Sequence, residues 1–358
     1  MSTFDILHKI KKGIISIFRK RWKRYFYWMK RLLDICNYNV YIIGVPEHTN
    51  LGDSAIAVAE IEFLKKCGIN EKKIKCITEP EFRKDFQIIK KYISKNSLIC
   101  LLGGGNMGNQ WKIEEESRRK MLAIFSDNPC IIFPQTLYYC GKNKEKDERD
   151  SIPYYINHHH LTMIAREKQS YVKMKELYSN INILLTPDIV LSTTMHDWGV
   201  IRQKRKDVLF CIREDEEKQV DNVVWKNLEV FLLSKNMNCS RTDMHSTEDI
   251  IEDKRRIYIT DKMQQFCSAQ LVITDRLHGM IFAAITGTPC IVFNNYNYKI
   301  KGTYDWISYL KYIKYVETIE EAKSFIPSLL EMNECQYDLS PLIPYFTKIS
   351  QVIKELCL

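Results

Sequence analysis

A short polar stretch between two apolar runs carries the side chains best suited to chemistry. Arg276, His278 and Gly279 lie between the strand-like run 271–274 and the helix-like run 280–285. At a strand-to-helix turn, the free N–H groups of the helix and its dipole both favour an anion. A guanidinium adds a bidentate grip on phosphate or carboxylate, and an imidazole adds a proton carrier near neutral pH. The alternative is that Arg276 pairs with a surface carboxylate and that His278 caps a helix or packs against neighbouring side chains. The rest of the chain decides between an anion site and this alternative.

Six further polar motifs follow apolar runs in the same way. They are the segments 45–56 (VPEHTNLGDSAI), 103–108 (GGGNMG), 133–136 (FPQT), 165–170 (AREKQS), 186–188 (TPD) and 211–213 (CIR). Together with the stretch 274–280, and in this order, they resemble the polysaccharide pyruvyl transferase family from about Tyr41 to Trp306. The resemblance implies a two-domain fold like that of GT-B glycosyltransferases. It also implies transfer of the enolpyruvyl carbons of phosphoenolpyruvate to a sugar, which forms a cyclic pyruvate ketal.

The resemblance also assigns roles to individual residues. Arg276 and His278 match the R-x-H signature of the family, and Arg213 matches an upstream donor-binding arginine. Arg166 and Lys299 fall on basic positions of family motifs, although the His-Pro often found before that lysine is missing here, which leaves the role of Lys299 open. We therefore expect these five residues to bind phosphoenolpyruvate, with His278 as the acid–base group or as a phosphate contact.

Glycine-rich turns in the first half predict the acceptor side of the site. The turn 103–105 directly follows an apolar run, so its backbone can approach a ligand closely, and it lacks both dinucleotide-binding spacing and a Walker lysine. Asp53 is expected to cap a helix that begins near Ser54. The resemblance implies an alternative role for Asp53, in binding or activating the acceptor sugar. Trp111 either stacks on a sugar or belongs to the core. The predicted acceptor contacts are Asn50, Gly52, Asp53, Gly104, Gly105 and Asn106, and the predicted catalytic residues are His278 and Asp53.

Three other polar clusters have simpler interpretations. The run 158–160 of three histidines has no carboxylate or cysteine at ligand spacing, so it predicts a loop and not a metal site. The acidic run 214–217 is typical of the first turn of a solvated helix. Asp188 is interpreted as a helix N-cap, with a hinge residue at the cleft as the alternative. The reaction implied by the resemblance needs no metal and no cofactor.

Short apolar runs alternate with helical stretches, which predicts parallel sheets covered on both faces. Ligands bind such sheets at the carboxyl ends of the strands, where nearly every motif lies, so we expect the site in a cleft between two domains. The predicted strands are 40–43, 74–77, 98–102, 130–133, 161–165 and 183–185 in the first half, and 208–212, 256–259, 271–274, 290–293 and 313–316 in the second.

The predicted fold is therefore α/β, with two Rossmann-like doubly wound domains in a GT-B-like arrangement and a basic N-terminal helical segment. Single hydrophobic cores stop growing beyond roughly 250–300 residues, so the length of 358 residues agrees with two domains. We expect a basic amphipathic segment at 1–36, an N-terminal domain at 37–200, a C-terminal domain with the donor site at 201–335, and a C-terminal helix at 336–358.

Positive charge is concentrated at the start of the chain. Residues 1–35 contain ten Lys or Arg against two Asp, a net +8 of the chain's +9, with aromatic and aliphatic residues interspersed. This pattern is typical of a helix on an anionic membrane surface, but it equally fits a helix that packs its aromatic side on the protein. No run is long enough for a signal peptide core or a spanning helix. Twelve cysteines without a C-x-x-C pair predict reduced thiols, so we expect a cytoplasmic protein, with the inner face of the membrane as a peripheral site.

Three classes of function remain open from the sequence. The first is pyruvyl transfer from phosphoenolpyruvate to a saccharide or lipid-linked oligosaccharide, without a nucleic-acid partner. The second is a GT-B glycosyltransferase that uses a sugar nucleotide. The third is a non-catalytic polysaccharide- or membrane-binding module, which the joint presence of Arg213, Arg276 and His278 disfavours.

Overall fold

The computed structural model describes residues 19–20, 22–23, 25–215, 218–294, 297–332 and 335–357. Two parallel sheets organise this part of the chain, one in each half. The strands of the first sheet are β1 (Val40–Val45), β2 (Ile74–Thr78), β3 (Leu98–Leu101), β4 (Gly104–Gly108), β5 (Cys130–Tyr138), β6 (Leu161–Ala165) and β7 (Asn182–Leu185). Their order is β2-β1-β3-β5-β6-β7, and β4 pairs with the long strand β5 beyond the end of β3.

The second sheet has the order β12-β11-β10-β8-β9, with every pairing parallel. Its strands are β8 (Lys206–Cys211), β9 (Cys239–Thr242), β10 (Ala269–Thr274), β11 (Cys290–Phe293) and β12 (Ile313–Val316). Parallel strands need crossover connections, and helices supply them here.

The connecting helices cover both faces of the two sheets. In chain order they are α1 (residues 25–35), α2 (Leu51–Lys66), α3 (Glu79–Tyr92), α4 (Lys112–Ile124), α5 (Lys144–Ile156), α6 (Lys168–Leu177), α7 (Met195–Trp198), α8 (Asn222–Leu233), α9 (Glu252–Cys267), α10 (Leu277–Thr286), α11 (Lys299–Ile307), α12 (Ile319–Leu330) and α13 (Ile343–Cys357). Short 3-10 helices span Glu71–Lys73, Ile189–Ser192 and Ser340–Leu342. The predicted fold class, two Rossmann-like halves in a GT-B-like α/β protein, is confirmed. None of the described helices is both long and apolar enough to cross a bilayer.

One apolar core is shared by the two halves. Val40 of β1 and Val272 of β10 belong to the same buried cluster, whereas Tyr41 faces a separate cluster on the other side of the first sheet. Helix α13 returns to the first half, where Phe346 packs on Phe63 of α2 with 6.1 Å between ring centroids. The C-terminal helix therefore joins the halves instead of extending the second one.

The strands predicted from apolar runs are present with one exception. Residues 256–259 lie within helix α9, so the prediction of a strand there is wrong. Ile259, Met263 and Phe266 are fully buried, and their spacing places them on one face of a helix. A window of four residues contains too little of this period to separate a helix from a strand.

The start of α2 also differs from the prediction. Asn50, not Asp53, is the N-cap, and its side-chain oxygen accepts hydrogen bonds from the N–H groups of Gly52 and Asp53 at 2.8 and 3.4 Å. The helix begins at Leu51, three residues earlier than expected. Asp53 lies in the first turn, where its negative charge interacts favourably with the helix dipole and its carboxylate stays available to the site.

A buried ion-pair network fixes the glycine-rich strand β4. Glu115 of α4, with a side chain only 3% exposed, accepts hydrogen bonds from Arg118 at 2.6 Å and from Tyr155 at 2.8 Å. It also accepts the N–H of Gly108 at 3.4 Å, and Arg118 binds the side-chain oxygen of Asn106. A strand with little side-chain packing of its own is thereby held in place by one carboxylate.

Removing that carboxylate should destabilise the protein strongly. We expect Glu115→Ala to lower the free energy of unfolding by about 3–5 kcal/mol, because Arg118 would remain buried without its counter-ion. Glu116→Ala is the matched control, since Glu116 is exposed on the same helix and the change should stay within about 0.5 kcal/mol. Urea unfolding followed by circular dichroism measures both. Equal losses in the two variants would mean that the buried network contributes nothing specific.

Candidate functional site

The predicted motifs follow strands at which both sheets reverse their order. The reversal lies between β1 and β3 in the first sheet and between β8 and β10 in the second. Connections leave such neighbouring strands toward opposite faces, which opens a crevice at their carboxyl ends. Asn50 and Gly105 follow β1 and β3, and Arg213 and His278 follow β8 and β10. The topology therefore brings the motifs of both halves to one place.

A cavity of about 330 Å³ lies where the two crevices meet. Nine of the predicted site residues line it: Asn50, Asp53, Gly105, Asn106, Arg166, Arg213, Arg276, His278 and Lys299. Gly52 and Gly104 lie directly behind this lining, against the side chains of His278 and Asp53. The lining also includes His48, Thr49, Trp111, Glu114, Met244, His245 and Leu277.

Backbone hydrogen bonds join the two halves at one rim of this cavity. The loop after β1 pairs with the segment after β9 through three bonds: Leu51 N–H to the Met244 carbonyl (2.8 Å), Ser246 N–H to Thr49 (2.8 Å) and Ile250 N–H to Glu47 (3.1 Å). His245 of the same segment contacts the hydroxyl of Thr49 through Nδ1 at 2.8 Å. Sequence reasoning missed Met244 and His245, because no motif or strand signal marks the segment that carries them.

Asp188 lies beside one basic side chain from each half. Its carboxylate is 1% exposed, accepts a hydrogen bond from Arg166 Nη1 at 2.8 Å and lies 3.6 Å from Nε2 of His278. Burial alone would raise the pKa of Asp188, but the hydrogen bonding and charge of His278, followed by the charge of Arg166, lower that pKa to about 2. Asp188 also caps the 3-10 helix after β7 by accepting the N–H of Val190 at 3.0 Å. The N-cap interpretation of Asp188 is therefore confirmed, and the same carboxylate also lies at the cleft.

Gly52 leaves the space that the imidazole of His278 occupies. A Cβ atom at position 52 would lie 2.3 Å from Nδ1 of His278, a separation that no side chain tolerates. The ring is thus confined between the first turn of α2 and the carboxylate of Asp188. Its side chain is 12% exposed, so it reaches the cavity with little freedom to turn.

Arg276 is already paired with two carboxylates. Its Nε and Nη2 donate to the two oxygens of Asp243 at 2.7 Å each, and Nη1 donates to Asp215 at 2.6 Å. Burial opposes the charge, but Asp243 and Asp215 outweigh it and raise the pKa of the guanidinium. Only one N–H on each terminal nitrogen of Arg276 is left by these three bonds. The surface-carboxylate alternative for Arg276 is thus partly right, since both partners are at least a quarter exposed.

Asp215 shows that the interpretation of the acidic run 214–217 was wrong. Asp215 lies in a loop, and helix α8 begins only at Asn222. Glu216 and Glu217 lie outside the described residues. The carboxylate of Asp215 binds Arg276 and lies 3.4 Å from Nε of Arg213, so part of the run belongs to the site.

Asp275 is a buried carboxyl beneath the two arginines. It is 2% exposed, and one oxygen accepts the backbone N–H of Arg213 at 2.9 Å. The other oxygen has no hydrogen-bond partner among the described residues. Burial raises the pKa of Asp275 to about 6, against the lowering effects of Arg213 and Arg276. The first half has a counterpart in Glu60, which is fully buried, accepts the N–H of Gly103 at 2.8 Å and has a pKa raised by burial.

Gly105 brings two cations together. Arg166 Nη2 lies 2.7 Å and Lys299 Nζ 3.3 Å from the position that a Cβ of residue 105 would take. Lys299 is the first residue of α11, whereas Arg166 follows β6, so one charge comes from each half. The Nε of Trp306 donates to the carbonyl of Arg166 at 2.7 Å and holds α11 against the first half.

The acceptor residues predicted from the sequence lie on the first-half wall of the cavity. Asp53 is about one-third exposed and lies 3.7 Å from Nε2 of His48. Asn106 is held by Arg118 and by Gln135, whose amide donates to it at 3.2 Å. Trp111 is 43% exposed at the cavity, so the interpretation of this residue as part of the core was wrong. The histidine run 158–160 lies in the turn before β6, as expected.

Comparisons with known proteins agree with this arrangement. A profile of the polysaccharide pyruvyl transferase family matches residues 50–298. General stress protein 30 of Bacillus subtilis is 35% identical over 318 residues, covering 86% of this chain and 91% of that protein. Pyruvyl transferase 1 of Schizosaccharomyces pombe is 28% identical over 337 residues, covering 88% and 79%. A crystal structure of a Klebsiella pneumoniae protein has the same fold, with a TM-score of 0.56, 17% identity and coverage of 82% and 98%.

The buried Asp275 should make stability fall as the pH rises. Its pKa in the folded protein, about 6, exceeds the ordinary value of 3.8, so both states are protonated below pH 3.8 and both are ionised above pH 6. Across that window the folded state must accept a buried charge, which costs about 3 kcal/mol. We therefore expect the stability of the wild type, relative to Asp275→Asn, to decline by an amount of this order between pH 4 and pH 6.

Urea unfolding at several pH values measures this difference. Asp261→Asn on α9 is the control, because Asp261 is exposed and its replacement removes no buried charge. A wild-type advantage over Asp275→Asn that stays constant across the window would contradict the assignment of Asp275 as a buried carboxyl with a raised pKa.

Proposed function

This chain belongs to the polysaccharide pyruvyl transferase family, and we propose that it transfers the pyruvyl group of phosphoenolpyruvate to a saccharide. The acceptor is a sugar of a cell-surface polysaccharide or of its lipid-linked precursor, and the products are a pyruvate ketal and phosphate. The transfer uses no metal and no cofactor. A family assignment alone does not identify the donor, so the donor is argued from the cavity.

The observation that carries the proposal is the group of four cations around one cavity. Arg166 from the first half and Arg213, Arg276 and Lys299 from the second half all line it. Phosphoenolpyruvate presents a phosphate and a carboxylate, and planar guanidinium groups suit both. The start of α10 adds backbone N–H groups and the positive end of a helix dipole at Leu277 and His278. A donor with two anionic groups can bind several of these cationic side chains at once.

The proposed reaction requires a side chain that can donate and accept protons. The methylene carbon of the donor gains a proton, one sugar hydroxyl attacks C2, phosphate leaves with the C2–O bond electrons, and a second hydroxyl closes the ketal. The two hydroxyl protons balance the reaction, since one ends on the methyl group and the other on phosphate. His278, confined by Gly52 and Asp188, is the acid–base group we propose for the donor. Asp53 is the carboxylate we propose for the acceptor hydroxyl.

The acceptor lies on the first-half wall in this proposal. Asn50, Asn106 and Glu114 offer hydrogen-bonding groups there, and the exposed ring of Trp111 offers a flat apolar face. Sugars bind proteins through this combination of polar groups around the ring and an aromatic surface below it. Gly104 and Gly105 keep the wall free of side chains between Asp53 and the cations.

Phosphoenolpyruvate alone should stabilise the protein in the presence of EDTA. A ligand at 100 times its dissociation constant adds about 2.7 kcal/mol, which raises the melting temperature by several degrees. Sugar nucleotides should have no effect. Lys299→Ala should remove most of the shift, whereas Lys301→Ala, on the same helix with a side chain 45% exposed, should leave it intact. Stabilisation by a sugar nucleotide and not by phosphoenolpyruvate would favour the glycosyltransferase alternative.

Two substitutions separate proton transfer from donor binding. His278→Gln keeps a hydrogen-bonding group but cannot carry a proton, so kcat should fall by about 10²–10⁴-fold with donor binding little changed. Arg276→Lys should weaken phosphoenolpyruvate binding and raise its KM, because an ammonium cannot bind Asp243 bidentately and present a fork to the donor. Phosphate release and calorimetric donor binding measure the two effects. Full pyruvyl transfer by both variants would exclude this turn as the donor site.

A further inference from the structure

Helix α1 and the helical residues 22–23 that precede it expose a row of large apolar side chains. Trp22, Tyr25, Phe26, Met29 and Leu33 are between 41% and 74% exposed. Their spacing of three and four residues places them along one face of a helix. The rings of Trp22 and Phe26 lie 5.8 Å apart, so the row is a connected surface and not a set of isolated residues. We call these five residues the apolar stripe.

The opposite face of α1 is fixed to the body of the protein. Arg31, with a side chain 10% exposed, binds Asp85 of α3 at 2.7 Å and Glu81 at 3.0 Å. The hydroxyl of Tyr27 also donates to Asp85 at 2.9 Å, and Ile35 is fully buried. Breaking a buried ion pair is costly, so α1 does not turn to bring its stripe inward. The interpretation that the aromatic side of this segment packs on the protein is therefore wrong for the described residues.

Exposed cations border the stripe on one side. Arg19, Lys23 and Lys30 are all exposed, and at 100° per residue they lie roughly 60–100° from the centre of the stripe. Lys84 of α3 adds a further cation beside α1, with Nζ 5.0 Å from the centre of the Tyr27 ring. Aromatic and aliphatic side chains next to a basic edge are the features of a helix that lies in the interface of an anionic bilayer.

We propose that the apolar stripe of α1 inserts into the headgroup region of an anionic bilayer, with the basic edge against the lipid phosphates. Charge selects this occupant over a second copy of the chain, because two copies paired through α1 would bring two basic edges together. Nucleic acid would use the cations but would leave the aliphatic side chains of Met29 and Leu33 without a partner. This inference concerns α1 alone and does not depend on the reaction proposed for the cavity.

Vesicle sedimentation with the full chain tests the proposal. The protein should bind phosphatidylcholine vesicles that contain about 30% phosphatidylglycerol, bind pure phosphatidylcholine much more weakly, and lose binding as salt rises. The triple variant Trp22→Ser, Phe26→Ser, Leu33→Ser should bind anionic vesicles at least tenfold more weakly. The matched control replaces three equally exposed residues of α8, namely Val223→Ser, Val230→Ser and Leu233→Ser, and should bind like the wild type.

A second measurement keeps the test independent of the stability of the triple variant. Quenching of tryptophan fluorescence by brominated anionic lipid should be seen in the wild type and should drop in Trp22→Phe, a change that keeps an aromatic ring. Unchanged vesicle binding by the triple variant would overturn the proposal. So would a wild type that binds no vesicles but dissociates from dimer to monomer when the stripe is replaced, since a second copy would then be the occupant.

Discussion

The carboxylate of Asp188 is buried where the two halves meet, and a basic side chain from each half lies beside it. An isolated carboxylate in that position would be costly, whereas Arg166 pairs with it at 2.8 Å and the imidazole of His278 lies 3.6 Å away. The pair with Arg166 lies within the first half, and only the meeting of the halves brings His278 to the same carboxylate. The same contact orients His278, so the closing of the cleft also fixes the position of the proposed proton carrier.

The remaining cations of the cavity are balanced in a similar way. Arg276 is held by Asp215 and Asp243, and Arg213 lies between Asp215 and the backbone contact to Asp275. Paired guanidinium groups stay in place without a ligand, which limits the rearrangement needed when an anion arrives. Pairing also weakens the attraction for any single anion. A ligand with two anionic groups, which engages several cations at once, gains more from such a site than a monoanion does.

The sequence predicted what depends on local patterns and missed what depends on the meeting of distant segments. Apolar runs predicted most strands, but the glycine-rich strand β4 was predicted as a turn, and β9 has half-buried to exposed polar residues typical of an edge strand and gave no signal. The partners of Arg276 lie 61 and 33 residues away in the chain. Only the order of the second sheet, in which β8 lies between β9 and β10, brings those loops together. The anionic partners of Arg276 are therefore determined by the strand order of the sheet and not by the spacing of residues in the sequence.

Two glycines of the predicted motifs are explained by closure of the cleft more than by ligand approach. Gly52 makes room for His278 of the second half, and Gly105 makes room for Arg166 of the first half and Lys299 of the second. Neither has the positive φ that would demand glycine for backbone reasons. A side chain at position 52 would meet the imidazole ring and push the halves apart, whereas one at position 105 would displace the far ends of the Arg166 and Lys299 side chains. Glycine is needed at position 52 because the cleft of this protein closes there at van der Waals distance, with the imidazole of His278 in the contact itself.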